Sequence, residues 1–297
     1  MVIERERQLA RGQNSSEIDQ QIVALKRQIR QAPQLQAGVL LGDRYELLEV
    51  IGKGGFGRVW QVFDRRENRL LAAKILHSEA SDEPRRIERF TRGALQMKTL
   101  QHPHIVRVLD GPAEYHGFRY FIMDYYPGGD LAAAVARGKI SQGKAIKALL
   151  DIGSALTYAH RQKVVHRDVK PENILLDRHG AAFLSDFDLV WAADTTGGTK
   201  TGFLGSYIYV PLEQAEDAKS VDERADVYAL GMTTIFVLHG KPLPHRVVRQ
   251  RALFIDALPC SEATKGLLRR ATADDADDRP KTVDAFCTSL RAALAMR

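Results

Sequence analysis

The 297-residue chain contains only two cysteines, Cys260 and Cys287. A fold stapled by several disulfides is excluded, and a reducing compartment is the simpler reading. Long apolar runs are missing as well. The longest, around Ile235–Leu238, is far shorter than a bilayer span requires. The opening MVIERERQLARG has charges but no apolar core, so it does not read as a secretory signal. These absences point to a cytoplasmic chain with no membrane segment. Charge of one sign is not dominant: Lys and Arg together number 43, Asp and Glu 37, a formal net charge of +6. That excess is too mild to require nucleic acid or an acidic surface as a partner. No internal repeat or low-complexity tract is visible. At 44% apolar residues the chain is not disordered, and its length is ample for a substantial core.

Residues 1–42 differ in texture from the rest, being rich in Gln, Arg and Glu and free of aromatics. Ile18, Ile22, Leu25 and Ile29 fall on one face of a helix, with Ser16 as its cap and Pro33 at or beyond its end. Three steps of such a seam are too few for a coiled coil. The extension is read as a helix packing on the main domain, with self-association as the alternative. From Tyr45 the pattern becomes strand-like: YELLEVIGKGG, GRVWQVFD and LLAAKIL, with a turn at Glu67-Asn68. A helical pattern over Arg85–Leu100 follows, then HPHIVRVLD and FRYFIMDYY as further strands. Pro127-Gly128-Gly129 breaks the chain near a hinge at Asp124–Gly129. Beyond it Ser141–Arg161, Ala225–His239, Glu262–Ala271 and Val283–Met296 read as helices.

Several motifs carry chemistry. Gly52-Lys53-Gly54-Gly55-Phe56-Gly57 lets a strand–turn–strand bring backbone N–H groups close to phosphates. A dinucleotide-binding reading fails, because strand residues follow the glycines and a helix does not. Lys74 comes seventeen residues after Gly57, in an apolar strand. Alone it would read as a lysine snorkelling from an edge. The deciding run is His166-Arg167-Asp168-Val169-Lys170-Pro171-Glu172-Asn173, with Asp186 eighteen residues after Asp168 in Ser185-Asp186-Phe187-Asp188.

With these residues the sequence resembles the protein-kinase family, specifically bacterial serine/threonine kinases of the eukaryotic-like type. The resemblance covers about residues 43–297. It implies an α+β, bilobal protein-kinase-like fold. Residues 43–126 would form a small antiparallel β-sheet lobe with one main helix, and 127–297 a larger, mostly helical lobe. It further implies phosphoryl transfer from ATP, with Mg2+, to serine or threonine hydroxyls of a protein substrate, this chain itself included. In the family pattern the glycine-rich turn Gly52–Gly57 covers the phosphates, and Lys74 holds the α- and β-phosphates. Asn173 and Asp186 match the Mg2+ ligands, oxygen donors suited to that hard ion. Asp168 matches the residue that accepts or orients the hydroxyl proton, and Lys170 the cation that steadies the transferred group. Met123 falls at the gatekeeper position. The backbones of Asp124 and Tyr126 would meet the adenine edge, Val59, Ala72 and Leu175 would sandwich the ring, and Asp130 would meet the ribose. Plain core packing explains the apolar members of that set equally well. Glu213 and Arg279 match a buried ion pair, and Asp226 the aspartate that anchors the catalytic loop. The sequence ends in the last helix of the family's fold, as a kinase domain of a longer protein would.

Three departures qualify the resemblance. Gly93 stands where the main helix of the small lobe should carry a glutamate that pairs with Lys74. Glu88, five residues away, is rotated by about 500° and points elsewhere. Asp186 is then an alternative partner for Lys74. Asp188 replaces a glycine after Asp186-Phe187, and Pro211-Leu212-Glu213 replaces Ala-Pro-Glu. Between them Thr195, Thr196, Thr199 and Thr201 offer hydroxyls, Thr199 and Thr201 being the better phosphosites by position. In the short segment Lys241–Pro259, Arg246, Arg249 and Arg251 are expected on a solvated face, with an acidic partner as the alternative. Two functions compete: an ATP-dependent kinase, and a nucleotide-binding pseudokinase that signals by conformation.

Overall fold

A computed structural model of the chain describes residues 35–54, 57–76, 84–187, 206–216 and 221–295. The helix read over Ile18–Ile29, together with Gly55, Phe56, Asp188 and the four loop threonines, lies outside the described residues.

Alternating strands and short apolar runs build the first lobe. Strands β1 (Leu40–Leu41), β2 (Tyr45–Lys53), β3 (Gly57–Asp64), β4 (Arg69–Leu76), β5 (Val108–Tyr115) and β6 (Phe118–Asp124) form an antiparallel sheet in the order β1-β2-β3-β4-β6-β5. Along β4, Leu71, Ala73 and Ile75 enter the core on one face with Leu47, Trp60 and Val62. Ala72 and Leu76 point to the opposite face. The period of two therefore places Lys74 on that second face. There helix α1 (Pro84–Thr99) packs through Phe90, Ala94 and Met97, with the Phe90 ring 5.1 Å from that of Phe121. The turn between β3 and β4 is stapled by fully buried Asp64, which accepts from Arg44 Nε and Nη2 at 2.9 and 2.7 Å and from the Arg66 N–H at 3.0 Å.

The strand expected over HPHIVRVLD starts only at Val108. His102 diverts its first half into a turn. The His104 N–H donates to His102 Nδ1 at 3.1 Å, and the Ile105 N–H to the His102 carbonyl at 3.1 Å. Ile105 instead bridges Leu184 of the second lobe.

The second lobe is helical around one small hairpin. Its helices are α2 (Leu131–Ala136), α3 (Gln142–Arg161), α4 (Leu212–Glu216), α5 (Arg224–His239), α6 (Arg251–Asp256), α7 (Glu262–Ala271) and α8 (Val283–Ala295). The hairpin pairs β7 (Ile174–Leu176) with β8 (Ala182–Leu184). Ser141 caps α3 and Ser261 caps α7 through their hydroxyls. Every residue of α5 from Ala225 to Leu238 is buried, as expected of a helix apolar on all sides at a lobe's centre. The two lobes meet where Gly128 passes the hairpin: a Cβ there would lie 2.5 Å from the Asp177 carbonyl oxygen. One apolar cluster runs from Ala72 and Met123 through Leu131 to Leu149 and Leu230. Arg251 is not the solvated residue expected. It pairs with Asp274 and donates to the Tyr228 hydroxyl at 3.1 Å. Among the described residues no helix is long and apolar enough to cross a membrane.

Candidate active site

The cleft between the lobes brings Lys74, Asp168, Lys170, Asn173 and Asp186 together. Strand pairing supplies the upper wall. Val59 of β3 sits opposite Lys74 of β4, Gly52 opposite Val59, Lys53 opposite Arg58, and Ala72 opposite Met123 of β6. The Gly54 N–H donates to the Gly57 carbonyl at 2.9 Å and closes the glycine-rich turn. Gly57 is required there: a Cβ would lie 2.1 Å from the Ile75 carbonyl oxygen. Leu175 of β7, the lower wall, bridges Asp130.

At the hinge, the Asp124 side chain is held by Arg107 Nε at 3.0 Å and approached by Arg69 at 3.8 Å. The Tyr126 ring stacks on Phe183 with centroids 4.1 Å apart. Asp130 is the N-cap of α2, and its Oδ1 accepts from the Ala133 N–H at 2.7 Å. Capping alone therefore explains an aspartate at this position, and only Oδ2 is left for another ligand.

The catalytic-loop residues lie between α3 and β7. Asp168, 8% exposed, receives Lys170 Nζ at 2.9 and 2.7 Å on its two oxygens. Asn173 Nδ2 donates to the Asp168 carbonyl at 2.7 Å and to its Oδ2 at 2.8 Å. With both amide protons so directed, Asn173 Oδ1 is the atom left to accept or ligate. Burial pushes the Lys170 ammonium down, but Asp168 beside it prevails and holds its pKa above the ordinary value.

Across the cleft Lys74 Nζ lies 2.6 Å from Asp186 Oδ1. Lys74 thus takes the alternative partner that Gly93 leaves to it. Gly93 is buried in α1, and the helix's Glu88 is exposed. Burial would raise the Asp186 carboxyl, yet the Lys74 charge and hydrogen bond outweigh it and hold the pKa below the usual carboxylate value.

The backbone here is held against its preference. Arg167 and Asp186 adopt φ of 67° and 64°, a region costly for residues other than glycine. Asp226, fully buried on α5, accepts from the His166 and Arg167 N–H groups, each at 2.8 Å. His160 Nε2 joins the same carboxylate at 2.7 Å, and His160 Nδ1 lies 3.2 Å from Glu223. The His166 ring accepts from the Asp168 N–H at Nδ1 (3.2 Å), so its proton sits on Nε2, which donates to the Ser185 carbonyl at 2.8 Å. One imidazole thereby joins the Asp168 loop to the Asp186 loop. Farther out, buried Arg279 holds Glu213 through two bonds of 2.6 and 3.0 Å, the ion pair read from the sequence.

A family description named protein kinase domain matches residues 45–292 of the chain. The chain belongs to the protein kinase family. Its similarity extends to bacterial serine/threonine kinases. The serine/threonine-protein kinase PknA of Mycobacterium tuberculosis is 38% identical over 214 residues, covering 69% of this chain and 49% of that protein. PknB of Mycolicibacterium smegmatis is 37% identical over 209 residues, covering 68% and 33%. The crystal structure of the M. tuberculosis PknI kinase domain matches with a TM-score of 0.68 at 26% identity, covering 88% of this chain and all of that one. The chain spans half or less of the length of these curated relatives.

The structure brings Asp168, Lys170 and Asn173 together, with Asp186 paired to Lys74 across from them. The sequence reading passed over two residues that brace this constellation, His160 and Gln214. Neither stands out from its neighbours in the sequence, since Gln214 lies in LEQAE and His160 in YAHRQ; their roles come from contacts with other elements.

Proposed function

We propose that the chain transfers the γ-phosphoryl group of ATP to a serine or threonine hydroxyl of a protein, its own loop threonines included. The observation that carries this reading is the convergence of Lys74, Asp168, Lys170, Asn173 and Asp186 on one cleft with Lys170 already on Asp168. The donor set fits Mg2+: a carboxylate held in its ionised form at Asp186 and the remaining oxygen of Asn173 are both hard ligands. When bound, the metal neutralises charge between the phosphates. Lys74, paired with Asp186 in this structure, would hold the α- and β-phosphates. Asp168 receives the hydroxyl proton at its carboxylate, and Lys170 stabilises charge on the group in transit. Ala72, Val59, Met123 and Leu175 offer an apolar slot for adenine, with the backbones of Asp124 and Tyr126 at its edge and Asp130 Oδ2 toward the ribose. Gly52, Lys53, Gly54, Gly55, Phe56 and Gly57 would cover the phosphates from above.

A second reading, a nucleotide-binding scaffold, is favoured by Gly93 and by the Lys74–Asp186 pair, since the lysine is not held by α1. Transfer of labelled phosphate from ATP to a generic acceptor and to the chain itself separates the two. We expect transfer by the unmutated chain and a loss of at least about 100-fold in Asp168→Asn. Absence of transfer, with thermal stabilisation by Mg-ATP intact, would establish the scaffold.

A further inference from the structure

The peptide between Arg167 and Asp168 sets the direction in which the Asp168 carboxylate points, and Arg167 holds a positive φ. Arg167 sits at φ 67°, which an unbraced chain would leave. Its N–H side is tied to α5 through Asp226. The carbonyl on its other side is tied to a different element: Gln214 of α4 donates from Nε2 to the Arg167 carbonyl at 2.7 Å. Gln214 is 5% exposed, so this bond is shielded from water. The same residue's backbone is fixed by its N–H to the Pro211 carbonyl at 3.1 Å, and its neighbour Glu213 is locked to Arg279. A residue of α4 thus holds the loop carrying Asp168.

We infer that Gln214 is a positioning residue: through the Arg167 carbonyl it fixes the orientation of Asp168 and transmits the placement of α4 to the reacting site. The inference rests on the kinase reading only for its rate measurement. Three features separate it from ordinary core packing. The bond goes to a main-chain atom of the strained residue itself. It approaches from an element other than the one that anchors the N–H groups. Its donor is an amide, which an apolar side chain of equal volume cannot imitate.

The test is Gln214→Met, which keeps the volume and removes the donor. The expected result is a kcat lowered about tenfold with KM for Mg-ATP within twofold, because nucleotide contacts lie elsewhere. Amide hydrogen exchange gives a readout independent of turnover. In the variant the Arg167 and Asp168 amides should exchange at least about tenfold faster, while amides within α5 keep their wild-type rates. Unchanged exchange at those two amides overturns the inference. So does a loss spread evenly over α4 and α5, which marks a packing role. If the unmutated chain transfers no phosphate, the kinase reading fails, and the exchange comparison alone decides the role of Gln214.

Discussion

At Gly93 the absence of one side chain reassigns a buried lysine. Lys74 is 7% exposed and, with glycine at position 93 of α1, its charge is met by Asp186 at 2.6 Å. A buried ammonium left unpaired would be costly, so the pair forms across the cleft in place of one within the small lobe. Gly93 also weakens α1 by about 1 kcal/mol relative to alanine. Gly93→Glu therefore changes two things in the same direction, helix propensity and a second carboxylate for Lys74. The expected outcome is a phosphoryl-transfer rate raised about tenfold, with a melting temperature equal to or above that of the parent. A lower rate together with a lower melting temperature would mean that the new carboxylate is buried out of reach of Lys74.

On the scale of elements, the loop carrying Asp168 is held from below by helices. Burial alone would raise the Asp226 carboxyl, but His160, His166 and the loop N–H groups hold it below the ordinary carboxylate value. Its stabilising contribution is complete above the unfolded carboxyl range near pH 4 and is lost as pH falls through the lower folded value. Removing one partner from a buried charged network costs about 3–5 kcal/mol. Asp226→Asn should thus lower the melting temperature at neutral pH by about 10 °C, and part of the parent's loss of stability in acid should vanish in the variant. Equal acid limbs in parent and variant would place the titrating group elsewhere. This scale also shows where sequence patterns suffice. Strands β2 and β3 were legible because they alternate, β4 and β6 because they are short apolar runs, and α3, α5, α7 and α8 because each is long, with serine caps on α3 and α7. The two-residue β1, the three-residue β7 and β8, and six-residue α2 were not, since no period can be read over so few positions. The His102 turn was missed because its ring bond to His104 leaves no trace in hydrophobicity. The chain positions of the cleft residues were readable from spacing, whereas Asp130 as a helix cap and Gln214 as a loop brace depend on contacts from other elements.

The whole molecule is divided by its cleft, and on the proposed kinase reading the charges across that cleft would make nucleotide and metal interdependent. Lys74 comes from the upper lobe and Asp186 from the lower, so their ion pair joins the lobes. Asp168 has its own cation in Lys170 within the lower lobe. ATP without metal would draw Lys74 away and leave the Asp186 carboxylate uncompensated in a partly buried site. Mg2+ without nucleotide would take Asp186 and leave Lys74 without a counter-charge. Supplied together, each makes good the loss the other causes. Mg-ATP at one hundred times its dissociation constant stabilises by about 2.7 kcal/mol, which for a chain of this size is a rise of roughly 5–10 °C in melting temperature. The expected pattern is that this rise exceeds the sum of the rises given by Mg2+ alone and by ATP in the presence of a chelator. Lys74→Met should abolish the excess, because the exchange of partners across the cleft no longer occurs. Additive rises in the parent chain would show instead that Lys74 and Asp186 remain paired when nucleotide binds.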